Sequence, residues 1–326
     1  MRTVRHFLSL FAPLLLSITG EARAAEALRV GVIGLDTSHA IEFTAILNTP
    51  RPAGADYGCK VVAAFPQGSP DIVASVSRVP EYTAKMKEMG VEIVDSMEVL
   101  LTKVDAVLLE TNDGRVHLEQ LRPCLKAKKR VFIDKPVAAS LADVVTIFQE
   151  AKAAGVPVFS SSALRFAKAT QEARNGSLGK VLRAETISPA HLEVTHPDLF
   201  WYGIHGVESL VTLMGPGAEK VKRGTTAEGK IEVTVTWKDG RTGVFREGTG
   251  YSAKVTGEKG EGAAGQFDGY EPLVKEVAAF FHSGKSPVAE AETLEIYALM
   301  EAADESKRRS GAEVTLAEVM AKVSKK

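Results

Sequence analysis

The sequence predicts an α/β protein: a Rossmann-like, doubly wound parallel sheet followed by an α+β domain with a mostly antiparallel, open sheet. Three observations carry this. Short apolar runs alternate with segments of helical periodicity from Leu28 to about residue 160, the pattern of strands buried on both faces by covering helices. Further on, strand-like runs follow one another with only tight turns between, which requires antiparallel pairing. Finally, 326 residues with 45% hydrophobic and 25% charged side chains suffice for two domains with their own cores.

In order, Leu28–Ile33 is a strand closed by Gly34, and a helix runs from about Ser38 to Leu47. Lys60–Phe65, Val91–Val94, Ala106–Leu109, Val131–Ile133 and Val156–Phe159 are buried-strand candidates. Pro80–Met89, Met97–Thr102, His117–Lys128 and Leu141–Ala154 are the intervening helices, the last with Ser140 as N-cap and Gly155 as its stop. The first domain therefore spans 25–160 and the second 161–326. In the second, Val181–Ile187 reads as a strand and Ile204–Met214 as a buried helix. Ile231–Trp237, Thr242–Arg246 and Ala253–Gly257 are strands, with Asp239-Gly240 marking a hairpin. Tyr270–Phe281 and Thr293–Lys307 return to helical periodicity, and these C-terminal helices are expected to pack back on the first domain.

The N-terminus reads as a leader. Arg2 and Arg5 precede the apolar run Phe7–Ile18, and Ala22-Arg23-Ala24 offers a small-residue cleavage site, which is the order of a secretory signal peptide over 1–24. The run is too short to span a bilayer comfortably. Removal of 1–24 takes away Arg2, Arg5, Arg23 and Glu21 and shifts the formal charge from −1 to −3. The mature chain is thus expected to be exported, periplasmic or extracellular, without a membrane span. Its near-balanced charge excludes a strongly basic nucleic-acid binder. Two cysteines, Cys59 and Cys124, are too few for a disulfide scaffold and are expected as buried thiols.

A doubly wound sheet binds ligands beyond the carboxyl ends of its strands, with phosphate at the first helix N-terminus. Here that turn reads Gly34-Leu35-Asp36-Thr37-Ser38-His39. Of the fingerprint G-x-G-x-x-G only Gly34 remains. Asp36 brings a Cβ and a negative charge where backbone should approach phosphates, or it caps the helix together with Thr37; the two roles are compatible. The second strand ends Phe65-Pro66-Gln67-Gly68-Ser69, without an acid for ribose hydroxyls. Asp134-Lys135-Pro136 closes the fifth strand and puts Lys135 at the ligand-facing edge, suited to donate to a substrate hydroxyl. In Trp201-Tyr202-Gly203-Ile204-His205-Gly206-Val207-Glu208, His205 and Glu208 share a helix face. His205 is a candidate acid/base, or a satisfied structural histidine. The density of His191, Glu193, His196, Asp198, His205 and Glu208 suits a zinc or manganese ion, or the hydroxyls of a sugar. Its spacing matches no zinc signature, and no metal is assigned.

Asp134-Lys135-Pro136 after a Rossmann-like half, then Ser162–Phe166 with Arg165, then Tyr202-Gly203-Ile204-His205, resembles the Gfo/Idh/MocA family of glucose–fructose oxidoreductase and inositol dehydrogenase type. The resemblance runs from about Leu28 to the C-terminus. It implies NAD or NADP as cofactor, with Gly34, Asp36, Thr37, Ser38, His39 and Lys135 around it. It implies Lys135 and His205 as the catalytic pair, and Arg165, Tyr202 and Glu208 as substrate-binding. Substrates of the family are sugars, cyclitols and their derivatives, and its open second sheet serves a homo-oligomer. The replaced glycines at Asp36 and His39 mean a cofactor held otherwise, by the amides of Thr37 and Ser38, or lost. Three functions follow: an oxidoreductase with tightly held, internally recycled cofactor; a non-redox carbohydrate-binding protein; or a metal-assisted hydrolase or lyase at the His191–Glu208 cluster.

Overall fold

Six strands, Leu28–Ile33 (β1), Cys59–Phe65 (β2), Glu92–Ile93 (β3), Ala106–Leu109 (β4), Arg130–Ile133 (β5) and Val158–Phe159 (β6), form one parallel sheet. Their order is β3-β2-β1-β4-β5-β6. The structure is a computed structural model that describes residues 26–52 and 55–323. The leader expected over 1–24 lies outside the described residues.

The strands are apolar on both faces because helices cover both. Val30, Val32, Val107, Leu108, Leu109 and Phe132 have no exposed surface. The covering helices are Ser38–Asn48 (α1), Val73–Glu88 (α2), Met97–Lys103 (α3), His117–Lys126 (α4) and Leu141–Ala154 (α5). α5 has the caps its sequence demands: Ser140 Oγ accepts the Asp143 N–H at 3.1 Å, and Gly155 ends it at φ 63°. α2 starts a full two turns before Pro80, which sits inside it. Proline favours a helix start but tolerates an interior place where tertiary packing outweighs its cost. Strand order reverses at β1, and the crevice between β1 and β4 is where such sheets take ligands.

The second sheet holds Val181–Ser188 (β7), Ala218–Thr225 (β8), Ile231–Trp237 (β9), Thr242–Glu247 (β10), Ser252–Gly257 (β11), Gly260–Ala264 (β12) and Val314–Thr315 (β13). The order is β12-β11-β7-β10-β9-β8-β13, antiparallel except for the parallel β7–β10 pair. Asp239-Gly240 makes the expected hairpin between β9 and β10, with Gly240 at φ 83°. Lys168–Arg174 (α6) precedes the sheet. Every residue of Ile204–Met214 (α7) is buried against it. The fit is close at Gly206, where a Cβ would stand 2.4 Å from the Phe245 ring.

Glu271–Ser283 (α8), Glu290–Arg308 (α9) and Leu316–Val323 (α10) close the chain. α8 lies on the first sheet. Its Leu273, Val274, Val277 and Phe280 share one core with Val30, Leu108, Phe132 and Phe159. The Phe159 and Phe280 rings meet edge to face at 4.8 Å. Cys59 and Cys124 are free, buried thiols, each pushed up to about 12 by burial. Among the described residues no helix is long and apolar enough to cross a membrane.

Candidate active site

A cavity of about 310 Å³ opens beyond the carboxyl ends of β1, β4 and β5, roofed by the start of α7 and by the 189–202 segment. One wall is the N-terminus of α1. Gly34 at φ +92° makes the turn, and a Cβ there would stand 2.4 Å from the Thr111 backbone nitrogen, so only glycine fits. Thr37 caps the helix, its Oγ1 taking the His39 N–H at 3.4 Å.

Asp36 behaves unlike the charge expected to face phosphates. Its carboxylate turns inward, accepting the Asn112 N–H at 2.9 Å and the Ser75 hydroxyl at 2.7 Å. Burial pushes it up to about 6. Its carbonyl accepts from Asn112 Nδ2 at 3.1 Å and from Arg78 at 3.3 Å. Thr37, Ser38 and His39, but not Asp36, line the cavity, together with the cations of Arg78 and Lys135. The phosphate-facing side is therefore positive: a helix N-terminus and two basic side chains. Asn112 Oδ1 and Gln67 Oε1 are buried acceptors without a hydrogen-bond partner.

Lys135, at the end of β5, points across the cavity with Nζ 6.0 Å from the centre of the Tyr202 ring. His205 stands opposite, on the first turn of α7. Its Nδ1 is paired with Ser162 Oγ at 2.8 Å, which leaves Nε2 for a ligand. Burial, and then the charges of Lys135 and His39, hold its pKa well below 6.5, so the ring is neutral. Tyr202 and Tyr251 flank the ring at 5.1 and 5.9 Å, their hydroxyls 3.0 Å apart.

Arg165 and Glu208, expected on the substrate, do not line the cavity. They pair with each other at 2.7 Å, and Arg165 also reaches Glu292 at 2.6 Å. Glu208 further accepts the Ser161 hydroxyl at 2.7 Å and the Ser162 N–H at 2.9 Å. The reason is burial: two charged groups inside the fold neutralise one another instead of waiting for a ligand. They thereby fix the segment that carries Ser162 against His205.

The acids and histidines of 191–208 are not gathered round one point. Asp198 binds Arg223 at 2.5 Å and Lys307 at 2.6 Å, Glu193 binds Thr195, and His191 and His205 line the cavity. His196 packs against Trp201, the rings tilted and 4.8 Å apart, and meets Asp113 at 3.2 Å. Among the described residues, the side chains placed as a metal would need them are His39, Glu110 and Asp134, with ligand atoms within 4.8 Å of one another. His39 and Asp134 stand in the motifs the sequence marks, whereas Glu110, directly after the apolar run of β4, belongs to no such motif. Arg78, Asn112, Tyr251 and Tyr270 also line the cavity. They come from four separate segments, and no local pattern announces them.

Residues 28–162 match the oxidoreductase family with an NAD-binding Rossmann fold designated GFO_IDH_MocA. The chain is 34% identical over 129 residues to myo-inositol 2-dehydrogenase of Thermotoga maritima, a match covering 36% of this chain and 38% of that enzyme's length. Among solved structures it is similar to GenD2 from gentamicin A biosynthesis in complex with NAD (TM-score 0.72, 16% identity, 90% of this chain and 97% of that one). It is also similar to scyllo-inositol dehydrogenase from Lactobacillus casei with NAD(H) and scyllo-inositol (TM-score 0.69, 16% identity, 89% and 99%).

Proposed function

We propose that the chain, whose residues 28–162 match the Gfo/Idh/MocA oxidoreductase family, is an NAD(P)-dependent dehydrogenase of that family acting on a CH–OH group of a cyclitol or sugar. One observation carries the reading: Lys135, just after β5 of the first sheet, and a neutral His205, on α7 against the second sheet, face one cavity. Their roles follow from their chemistry. The Lys135 ammonium donates to the substrate oxygen and orients it. His205 Nε2 accepts the hydroxyl proton as the carbonyl forms, and Ser162, held by Glu208, sets the ring's orientation. Tyr202, Tyr251, Phe267 and Tyr270 wall the cavity with aromatic surface that excludes water and stacks on a ring's apolar face.

The cofactor fits the same surface. The α1 N-terminus, Arg78 and Lys135 supply positive charge for a pyrophosphate, while Asp36 keeps its own charge turned inward. The unpartnered Oδ1 of Asn112, a residue of the cavity wall, is an acceptor for ribose hydroxyls in place of the missing acid. When bound, nicotinamide supplies the hydride acceptor. The leader supports export, to a compartment where free dinucleotide is scarce. The reading therefore includes a cofactor retained through turnover and returned to its starting state within each cycle.

The test is direct. Protein purified without added cofactor is denatured, and the supernatant is analysed for NAD(H) and NADP(H) by mass spectrometry. Bound nucleotide is expected; none released and none taken up on titration would defeat the proposal. Lys135→Ala and His205→Ala should each abolish turnover on a panel of cyclitols and sugars, and undiminished rates would remove that residue from the chemistry. Fractionation of cells expressing the full chain tests export.

A further inference from the structure

Behind the cavity, His39, Glu110 and Asp134 form a group that the dehydrogenase reading leaves without a task. Glu110 and Asp134 have no exposed surface, and His39 separates them from the cavity. His39 Nδ1 and Asp134 Oδ2 are 2.9 Å apart. The remaining oxygens, both of Glu110 and Oδ1 of Asp134, have no hydrogen-bond partner. Unpaired carboxylate oxygens in a dry interior are costly, and the fold has placed an oxygen of each carboxylate and a nitrogen of His39 within 4.8 Å of one another.

A proton is too little for this arrangement. One proton on Glu110 joins a single pair of oxygens and leaves the third unpaired. Lys135, the neighbouring cation, faces the cavity. One imidazole nitrogen and two carboxylates, with ligand atoms no more than 4.8 Å apart, make a mixed nitrogen–oxygen set of the size one ion requires. Such a set suits zinc or manganese better than magnesium, which prefers oxygen ligands and its own waters.

We propose that His39, Glu110 and Asp134 form a binding site for one divalent transition-metal cation at the carboxyl ends of β4 and β5. The ion takes Nδ1 of His39, Oδ2 of Asp134 and a Glu110 oxygen, replacing the proton shared between Nδ1 and Oδ2. Its entry is from the cavity, past the His39 ring. The ion neutralises the buried pair and fixes His39 and the strand end that bears Lys135.

The experiment uses the full chain, stripped with a chelator and titrated with Zn²⁺ by calorimetry and with Mn²⁺ by electron paramagnetic resonance. One equivalent of either ion is expected to bind, with release of a proton that shows as a buffer-dependent heat. Glu110→Gln and Asp134→Asn, each checked for folding by circular dichroism, should weaken binding by at least about tenfold. Absence of binding up to millimolar ion, or equal affinity in both variants, would overturn the proposal and return the site to a protonated carboxyl pair. If a variant does not fold, anomalous scattering from crystals of the unaltered protein grown with Zn²⁺ decides: a peak among the three side chains supports the site, and a peak elsewhere or none overturns it. These readouts need no substrate or nucleotide, so their failure leaves the dehydrogenase reading untouched.

Discussion

Replacing Arg165 by methionine isolates the buried charge network behind His205. Arg165 is 2% exposed and bridges Glu208 at 2.7 Å and Glu292 at 2.6 Å. Methionine keeps most of the apolar stem and removes the charge. Glu292 retains two bonds from Arg174, at 2.9 and 2.8 Å. Glu208 keeps only the Ser161 hydroxyl and the Ser162 N–H, so it becomes a buried carboxylate without a cation. One orphaned charge, not two, sets the magnitude at about 3–5 kcal/mol. At about 2–4 °C per kcal/mol for a chain of this class, Tm should fall by roughly 6–20 °C. Thermal unfolding followed by circular dichroism at pH 7.5 measures the fall, with initial rates below the transition as control. A Tm within about 2 °C of the parent, or an intact Tm with a many-fold higher KM, would refute the argument and put Arg165 on the substrate.

Three further outcomes follow from the geometry. Asp36 has a folded pKa of about 6 against an ordinary 3.8, so its contribution is fully present below 3.8 and is lost as pH rises through 6. Asp36→Asn should remove up to about 3 kcal/mol of that pH dependence, read as urea midpoints at pH 4 and pH 7; an unchanged slope would count against it. His205, depressed well below 6.5, contributes stability above 6.5 that is lost as pH falls below it. The kcat/KM profile should accordingly show no inflection near 6.5, and one there would contradict a neutral buried ring. Gly206→Ala drives a methyl into Phe245 and should cost about 1–3 kcal/mol in chemical denaturation, whereas a neutral result would show that α7 can shift on its sheet.

Much of the fold was legible because its determinants are local. Leu28–Ile33, Ala106–Leu109, α5 with its two caps, α7 and the Asp239-Gly240 hairpin occupy the residues their patterns mark. β8 and β12 were not legible: Lys220 and Lys222 break up one, and Gly260-Glu261-Gly262 opens the other, so both rest on pairing to neighbours rather than on composition. In the site, the position of Lys135 and His205 followed from strand-end and helix-start geometry. The direction of Asp36 did not, because spacing places a Cα and says nothing about Ser75 and Asn112 waiting behind it. Nor did the pairing of Arg165 with Glu208, since polar residues near a cleft read alike whether they face a ligand or each other. Glu110 meets His39 and Asp134 only through the crossover that brings β1, β4 and β5 side by side.

The placement of α8 bears on how the protein comes into being. The sheet face bearing Val30, Leu108 and Phe132 is completed by Leu273, Val277 and Phe280, from near the other end of the chain. A ribosome delivers that cover last, so a nascent first half presents a bare apolar surface until the C-terminal part arrives. A fragment ending near residue 162 would keep every strand of its sheet and still lack part of its own core, and aggregation is its expected fate.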